Sequence, residues 1–154
     1  MIRHPWNNKS FKSDGKTNED YYAYGKPILS PADGIIVKVI DSVPDNEIGK
    51  MNPKQLTGNT VIIKTEIDEH ILLAHFKNNS IEVKENDKVK KGDLLGLCGN
   101  SGNSSEPHLH LHVMDKPQLR GATGRKIYFE ELILNREATT KNYSPVRGNV
   151  VMRR

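Results

Sequence analysis

Short runs of β-branched and aliphatic residues, separated by Gly, Asn and Asp, begin at Pro27 and continue through most of the chain. Runs of this kind, bounded by turn formers, are typical of strands. They predict strands at residues 35–40, 59–65, 70–76, 80–83, 94–97 and 108–114. Residues 1–26 are polar and turn-rich without a regular period, and they predict a loop segment. The Pro-, Asp- and Asn-rich stretch 42–57 predicts a surface loop between two strands.

The C-terminal part of the chain has a different pattern. Residues 127–135 cluster aliphatic and aromatic side chains, with Glu130 and Glu131 early in the run, and predict one short helix packed on the sheet. No period follows Ala138, so an extended or frayed tail is expected. The sequence therefore predicts a mostly β fold with one short C-terminal helix. Its expected parts are a polar loop segment at 1–26, a β domain at 27–137 and a tail at 138–154.

Length and composition indicate one folded domain. The chain has 154 residues, of which 35% are hydrophobic and 27% charged, within the range of globular proteins. Its apolar runs are far too short to span a bilayer, and its first residues contain no apolar region like that of a signal peptide. Cys98 is the single cysteine, which excludes a disulfide within the chain and a four-cysteine zinc site.

The net charge of +4 favours anionic surroundings, but its distribution weakens that signal. Lysines and arginines are dispersed, and their closest run, at residues 84–91, has acidic residues between them. No nucleic-acid-binding motif accompanies them. We therefore expect a solvated basic surface and no nucleic-acid partner.

Three histidines occupy alternate positions near residue 110. Successive side chains of a strand point to opposite faces, so His108, His110 and His112 are expected on one face. The intervening Leu109, Leu111 and Val113 are then expected in the core, together with Ile36, Ile62 and Leu72. Imidazoles clustered in a core would each need a hydrogen-bond partner, so this spacing favours a functional site over packing.

A tight polar loop, residues 98–107, runs directly into the histidine strand. Its glycines, serines and asparagines are typical of turns that expose backbone amides at the edge of a cleft. The loop is a candidate wall of a substrate groove, although Gly-rich loops are common and carry little information by themselves.

Several segments in order resemble the lysostaphin/LytM-type zinc endopeptidases. They are residues 27–34, Gly58-Asn59-Thr60-Val61-Ile62-Ile63, Leu73-Ala74-His75-Phe76, residues 83–93, residues 96–102 and Pro107-His108-Leu109-His110. The resemblance extends over about residues 20–114. It implies antiparallel β-sheets of the duplicated hybrid motif type. It also implies a zinc-dependent endopeptidase whose usual substrate is bacterial cell-wall peptidoglycan.

The same resemblance implies roles for individual residues. It makes His110 a zinc ligand and places His75 and His108 beside the metal as catalytic histidines. Zinc lowers the pKa of a bound water toward about 7, and nearby histidines can orient that water and move its proton.

The chain departs from the family at the remaining two ligands. The family takes them from a His-x-x-x-Asp element that precedes the segment opened by Pro27. Here Asp20 falls near the Asp position, while Gly15 and Lys16 stand where the His belongs. Two explanations remain open: an N-terminally shortened domain, which is favoured, and a degenerate site. Asp20 is the predicted carboxylate ligand.

Two other histidines are weaker candidates for site residues. His4, with Asp14 or Asp20, is conceivable as a replacement ligand, but a histidine beside Pro5 is more often a surface residue. His70, next to Glu69, is expected to be solvated.

Three functions are compared on this basis. The first is a zinc endopeptidase acting on peptidoglycan, and the second is a catalytically deficient family member that binds peptidoglycan or a partner protein. The third is a biotinyl- or lipoyl-type carrier, suggested by the pattern at 83–93, which leaves the histidines unexplained. The family's habit favours a cell-envelope location, while nothing in the first residues indicates export.

Overall fold

The computed structural model describes residues 2–4, 7–134, 139–146 and 149–152. The chain divides into two compact units, Met1–Thr123 and Gly124–Arg154. The predicted boundaries at residues 26 and 137 stay predictions. In the described part of the chain, no helix is long and apolar enough to cross a membrane.

The first unit is built almost entirely from antiparallel strands. Its elements are a 3₁₀ helix (Asn18–Asp20) and the strands β1 (Pro27–Leu29), β2 (Gly34–Ile40), β3 (Asn59–Lys64), β4 (His70–Phe76), β5 (Lys88–Val89), β6 (Leu94–Leu97) and β7 (His110–Met114). Within this unit the main sheet has the order β5-β2-β3-β4-β7, and β1 pairs with β6 in a small second sheet. The predicted antiparallel, mostly β fold is confirmed.

The two central strands, β3 and β4, are buried along nearly their whole length. Their register places Ile62 opposite Leu72, and Leu72 opposite His112 on β7. Directly opposed residues share a face, so Ile62 and Leu72 lie on the histidine face of the sheet. There they form a buried cluster with Ala74 and Met114. The prediction that Ile62 and Leu72 pack with Val113 is therefore wrong.

The opposite face of the main sheet carries the other predicted core residues. Leu111 faces Leu73, and Val113 faces Ile71. Val113 is buried, as predicted, but Leu111 and Leu109 are only half-buried. Leu109 also precedes β7, which begins at His110 rather than at the predicted His108. The alternation expected from residue 108 thus holds only from His110.

The predicted strand at residues 80–83 is absent from the structure, which describes this segment without regular pairing. The backbone N–H groups of Ser80 and Ile81 donate instead to the carboxylate of Asp41, at 3.4 and 2.9 Å. Because these two donors bond to a side chain, residues 80–83 do not form a regular ladder with a neighbouring strand.

The second unit contains strands where a helix was predicted. Its strands are β8 (Gly124–Arg125), β9 (Phe129–Leu134), β10 (Thr139–Tyr143) and β11 (Val151–Met152), with β9 between β10 and β11 in one antiparallel sheet. The helix predicted at 127–135 is therefore wrong for Phe129–Leu134, and residue 135 lies outside the described residues. Pairing with two later strands satisfies the backbone of β9 and overrides the local pattern. The expected tail likewise contributes β10 and β11.

Candidate active site

A β-bulge in β4 brings His75 into the site. Asn59 on β3 pairs with Phe76, whereas the next residue, Thr60, pairs with Ala74, so His75 is the extra residue. Its φ of +68° lies in the left-handed region that few non-glycine residues adopt. Regular alternation would direct His75 away from the face of Ala74 and its partner His110. The bulge changes that direction.

The histidine rings lie close together. The centroid of His75 is 4.8 Å from that of His108 and 6.0 Å from that of His110. His112 stacks beside His110 at 6.1 Å. His75 is buried, His108 and His112 are half-buried, and His110 is exposed. The three predicted site histidines, from β4, β7 and the loop before β7, therefore meet at one place that opens to solvent.

Hydrogen bonds define the proton positions on two of these rings. His75 Nδ1 lies 2.8 Å from the Ser101 carbonyl oxygen, and His108 Nδ1 lies 2.8 Å from the Glu106 carbonyl oxygen. A carbonyl only accepts, so each Nδ1 donates its N–H. In the neutral imidazole this leaves the lone pair on Nε2, the atom available to accept a proton or bind a cation.

Two of the site histidines, His75 and His110, favour the neutral form. Burial lowers the pKa of His75 to about 4, and the nearby His108 and His110 add to this effect, while the bond to Ser101 opposes it. The pKa of His110 is also lowered, by loss of hydration and by repulsion from His112 and His108. Neutral imidazoles can act as bases and as ligands at physiological pH.

The polar loop before β7 is more tightly bonded than predicted. Its expected exposed amides are engaged: Gly99 N–H donates to the His75 carbonyl at 2.9 Å, and Asn100 N–H donates to Asp45 Oδ1 at 2.6 Å. Asn100 and Ser104 are themselves buried, at 0% and 1% exposure. This loop is therefore a rigid support for the histidines rather than an open row of donors.

Residues that support this loop were missed at the sequence level. The side-chain amide of Asn46 donates to the carbonyls of Gly102 and Ser104, at 2.7 and 2.9 Å. The backbone N–H of Asn59 donates to the Ser101 hydroxyl at 2.9 Å, and its buried side-chain amide donates to the Val43 carbonyl at 2.8 Å. Nothing in the local pattern distinguishes these asparagines from ordinary turn residues, because their partners lie 16 to 58 residues away.

Asp20, the predicted carboxylate ligand, is engaged within its own segment. It accepts hydrogen bonds from the Ser13 hydroxyl and from the Thr17 N–H and hydroxyl, the latter two at 3.1 and 3.2 Å. These bonds, led by the one from Ser13, lower the pKa of Asp20. Together these three bonds occupy most of the roughly four acceptor positions of a carboxylate.

Contacts of the other candidate residues are as follows. Asp14 forms an exposed ion pair with Lys16 at 3.0 Å, and the ring of His4 lies 6.0 Å from that of Tyr22. His70 is 6% exposed and its Nδ1 has no hydrogen-bond partner, so the expectation that it is solvated is wrong.

A catalytic zinc site requires three protein ligands and an open position. Within residues 2–4, 7–134, 139–146 and 149–152, no group of three or more His, Cys, Asp or Glu residues is arranged to hold a metal ion. His110 offers one suitable nitrogen, and the incomplete ligand set expected from the sequence stays a prediction.

Comparison with curated proteins finds relatives among metalloproteases. The chain is 37% identical over 89 residues to an uncharacterized metalloprotease of Buchnera aphidicola, covering 58% of this chain and 20% of that protein. It is 28% identical over 90 residues to the peptidoglycan DD-endopeptidase ShyA of Vibrio cholerae, covering 58% of this chain and 18% of ShyA. The chain thus spans a fifth or less of the length of these relatives.

Comparison with solved structures and family sequences agrees with the fold described above. The catalytic domain of lysostaphin from Staphylococcus simulans superimposes with a TM-score of 0.50 at 23% identity, covering 74% of this chain and 81% of that domain. The sequence model of Peptidase family M23 matches residues 19–123, which include every strand of the main sheet up to β7 and all of the site histidines. The chain belongs to peptidase family M23.

Proposed function

We propose that this chain carries the histidine site of a zinc-dependent endopeptidase that cleaves peptide bonds of bacterial cell-wall peptidoglycan. The observation that carries the proposal is the meeting of His75, His108 and His110, because a bulge and a separate loop are needed to bring them together. Membership of family M23 and the similarity to ShyA support the peptidoglycan substrate. A substrate of this kind places the proposed activity in the cell envelope.

In this proposal His75 and His108 move protons. Each holds its N–H on Nδ1 against a backbone carbonyl, so Nε2 is free to take a proton from the attacking water. The same atom, once protonated, can stabilise the oxyanion or deliver the proton to the leaving amine. The lowered pKa of His75 keeps its ring unprotonated at neutral pH, so Nε2 retains its lone pair.

His110 is the proposed metal ligand, and zinc the proposed cofactor. With one histidine nitrogen and no completed three-ligand group among the described residues, we expect zinc to bind weakly and hydrolysis to be slow. An incomplete ligand set, as the sequence predicts, also favours a second candidate function, a catalytically deficient relative that binds peptidoglycan or a partner protein through the same surface.

The test is zinc titration of the purified chain by calorimetry, alongside hydrolysis of purified peptidoglycan. His110→Ala should abolish the weak zinc binding, since it removes the proposed ligand. His112→Gln is the matched control: it changes the neighbouring ring on the same strand and should leave zinc binding in place.

The results of these assays distinguish the endopeptidase from the binding function. Slow, zinc-dependent hydrolysis that His110→Ala removes supports the endopeptidase. Retention of the chain on peptidoglycan without hydrolysis at saturating zinc supports the binding function and contradicts the enzyme. Tight stoichiometric zinc with rapid turnover would show that other residues complete the site.

A further inference from the structure

We infer that Ser104 is a positioning residue for His108. Its hydroxyl, held by Asn100, selects the neutral tautomer of His108 that carries the proton on Nδ1. The importance of this tautomer for hydrolysis rests on the proposed function, whereas the tautomer itself is a property of the folded chain.

The hydrogen-bond partners of Ser104 determine its direction of donation. Its Oγ lies 2.7 Å from Asn100 Oδ1, 2.9 Å from the Glu106 carbonyl oxygen and 3.2 Å from His108 Nδ1. The first two atoms only accept, so the single hydroxyl hydrogen goes to one of them. A lone pair of Oγ is then available to His108 Nδ1, which must donate.

The orientation of the Asn100 amide is itself determined. Its Nδ2 donates to Asn18 Oδ1 at 3.0 Å and to the Asn46 carbonyl oxygen at 3.3 Å. Because a backbone carbonyl cannot donate, the NH₂ group must be on this side and Oδ1 must face Ser104. The 3₁₀ helix and the loop at 42–57 thus both support the position of Ser104.

Two oxygens therefore surround His108 Nδ1 as acceptors, Ser104 Oγ and the Glu106 carbonyl. If the proton sat on Nε2, the Nδ1 lone pair would face the Glu106 carbonyl oxygen at 2.8 Å and compete for the Ser104 hydrogen. Burial of Ser104, at 1% exposure, prevents water from replacing these contacts.

The experiment determines the His108 tautomer in metal-free protein labelled with ¹⁵N-histidine. Long-range ¹H–¹⁵N spectra identify the protonated nitrogen at a pH about two units above the ordinary histidine value. The native chain should have His108 protonated on Nδ1. In Ser104→Ala the ratio of tautomers should move about 2- to 10-fold toward Nε2–H, the equivalent of one lost hydrogen bond.

Three controls accompany this variant. Ser104→Thr keeps the hydroxyl and should restore the native ratio. Ser104→Cys keeps the approximate size but is a poor acceptor, so it should behave like alanine and serves if Ser104→Ala fails to fold. His75, bonded to the Ser101 carbonyl, should keep its tautomer in every variant.

Protonation of His108 on Nε2 in the native chain would overturn the inference. An unchanged ratio in Ser104→Ala and Ser104→Cys would also overturn it, because the Glu106 carbonyl alone would then suffice. Failure to bind zinc or hydrolyse peptidoglycan contradicts the proposed function instead, since neither metal nor substrate is present in the tautomer measurement.

Discussion

His75 combines a left-handed backbone with a buried, titratable ring. Its pKa in the fold is about 4, against 6.5 for the unperturbed side chain. Between these values the unfolded chain binds a proton that the folded chain resists. The free energy of unfolding must therefore decrease as pH falls through this interval.

The expected result is a loss of stability of the metal-free protein as pH falls from 6.5 toward 4. His75→Asn should reduce this loss, since asparagine tolerates the left-handed conformation, can donate to the Ser101 carbonyl and does not titrate. Urea unfolding at several pH values across this interval measures the slope of the free energy of unfolding against pH for the native protein and for His75→Asn. Equal slopes for the two proteins would contradict the assigned pKa shift.

Among the strands of the main sheet, β4 pairs with β3 on one side and with β7 on the other. Leu73 is 1% exposed and lies between Val61 on β3 and Leu111 on β7. Leu109, by contrast, is half-buried and precedes β7. The same deletion of side-chain atoms should therefore cost more at Leu73 than at Leu109.

We expect Leu73→Ala to reduce the free energy of unfolding by about 2–5 kcal/mol, because it leaves a cavity in a closed core. Leu109→Ala should cost less than about 2 kcal/mol, since water already reaches that side chain. Chemical denaturation of both variants shows which substitution causes the larger loss in the free energy of unfolding. A larger loss for Leu109→Ala would place that residue in the core after all.

At the scale of the whole first unit, the loop before β7 packs against the chain that enters β3. A Cβ added to Gly102 would lie 2.3 Å from the backbone nitrogen of Gly58, closer than real contacts allow. Gly25 has a similar left-handed φ, +69° against +77°, but open space around its Cβ position. A comparison of substitutions at Gly102 and Gly25 therefore separates the cost of a left-handed alanine from the cost of steric overlap.

Gly25→Ala should cost about 1–2 kcal/mol, the ordinary strain of a left-handed alanine. Gly102→Ala carries the same strain and must also push two backbone segments apart, so its loss of stability should be clearly greater. Thermal unfolding of the two variants makes the comparison. Equal losses would mean that the loop moves freely and does not rigidly support the histidines.

Local patterns in the sequence predicted the strands β2, β3, β4 and β7 of the main sheet and the shared face of His110 and His112. Runs of β-branched residues between turn formers are local signals, and the period of a strand places alternate residues on one face. Five of the six predicted strands are present, at or near their expected bounds. The motifs around His75 and His108 likewise identified the family, because their order and spacing are properties of the chain.

The face that His75 joins, the support of His108 and the strand at residues 129–134 depend on tertiary contacts. The bulge at His75 depends on its register with β3, and the support of Ser104 comes from asparagines outside its own loop. The run at 129–134 is a strand because two later segments pair with it. Each outcome is set by hydrogen bonds between residues distant in sequence, which local pattern does not encode.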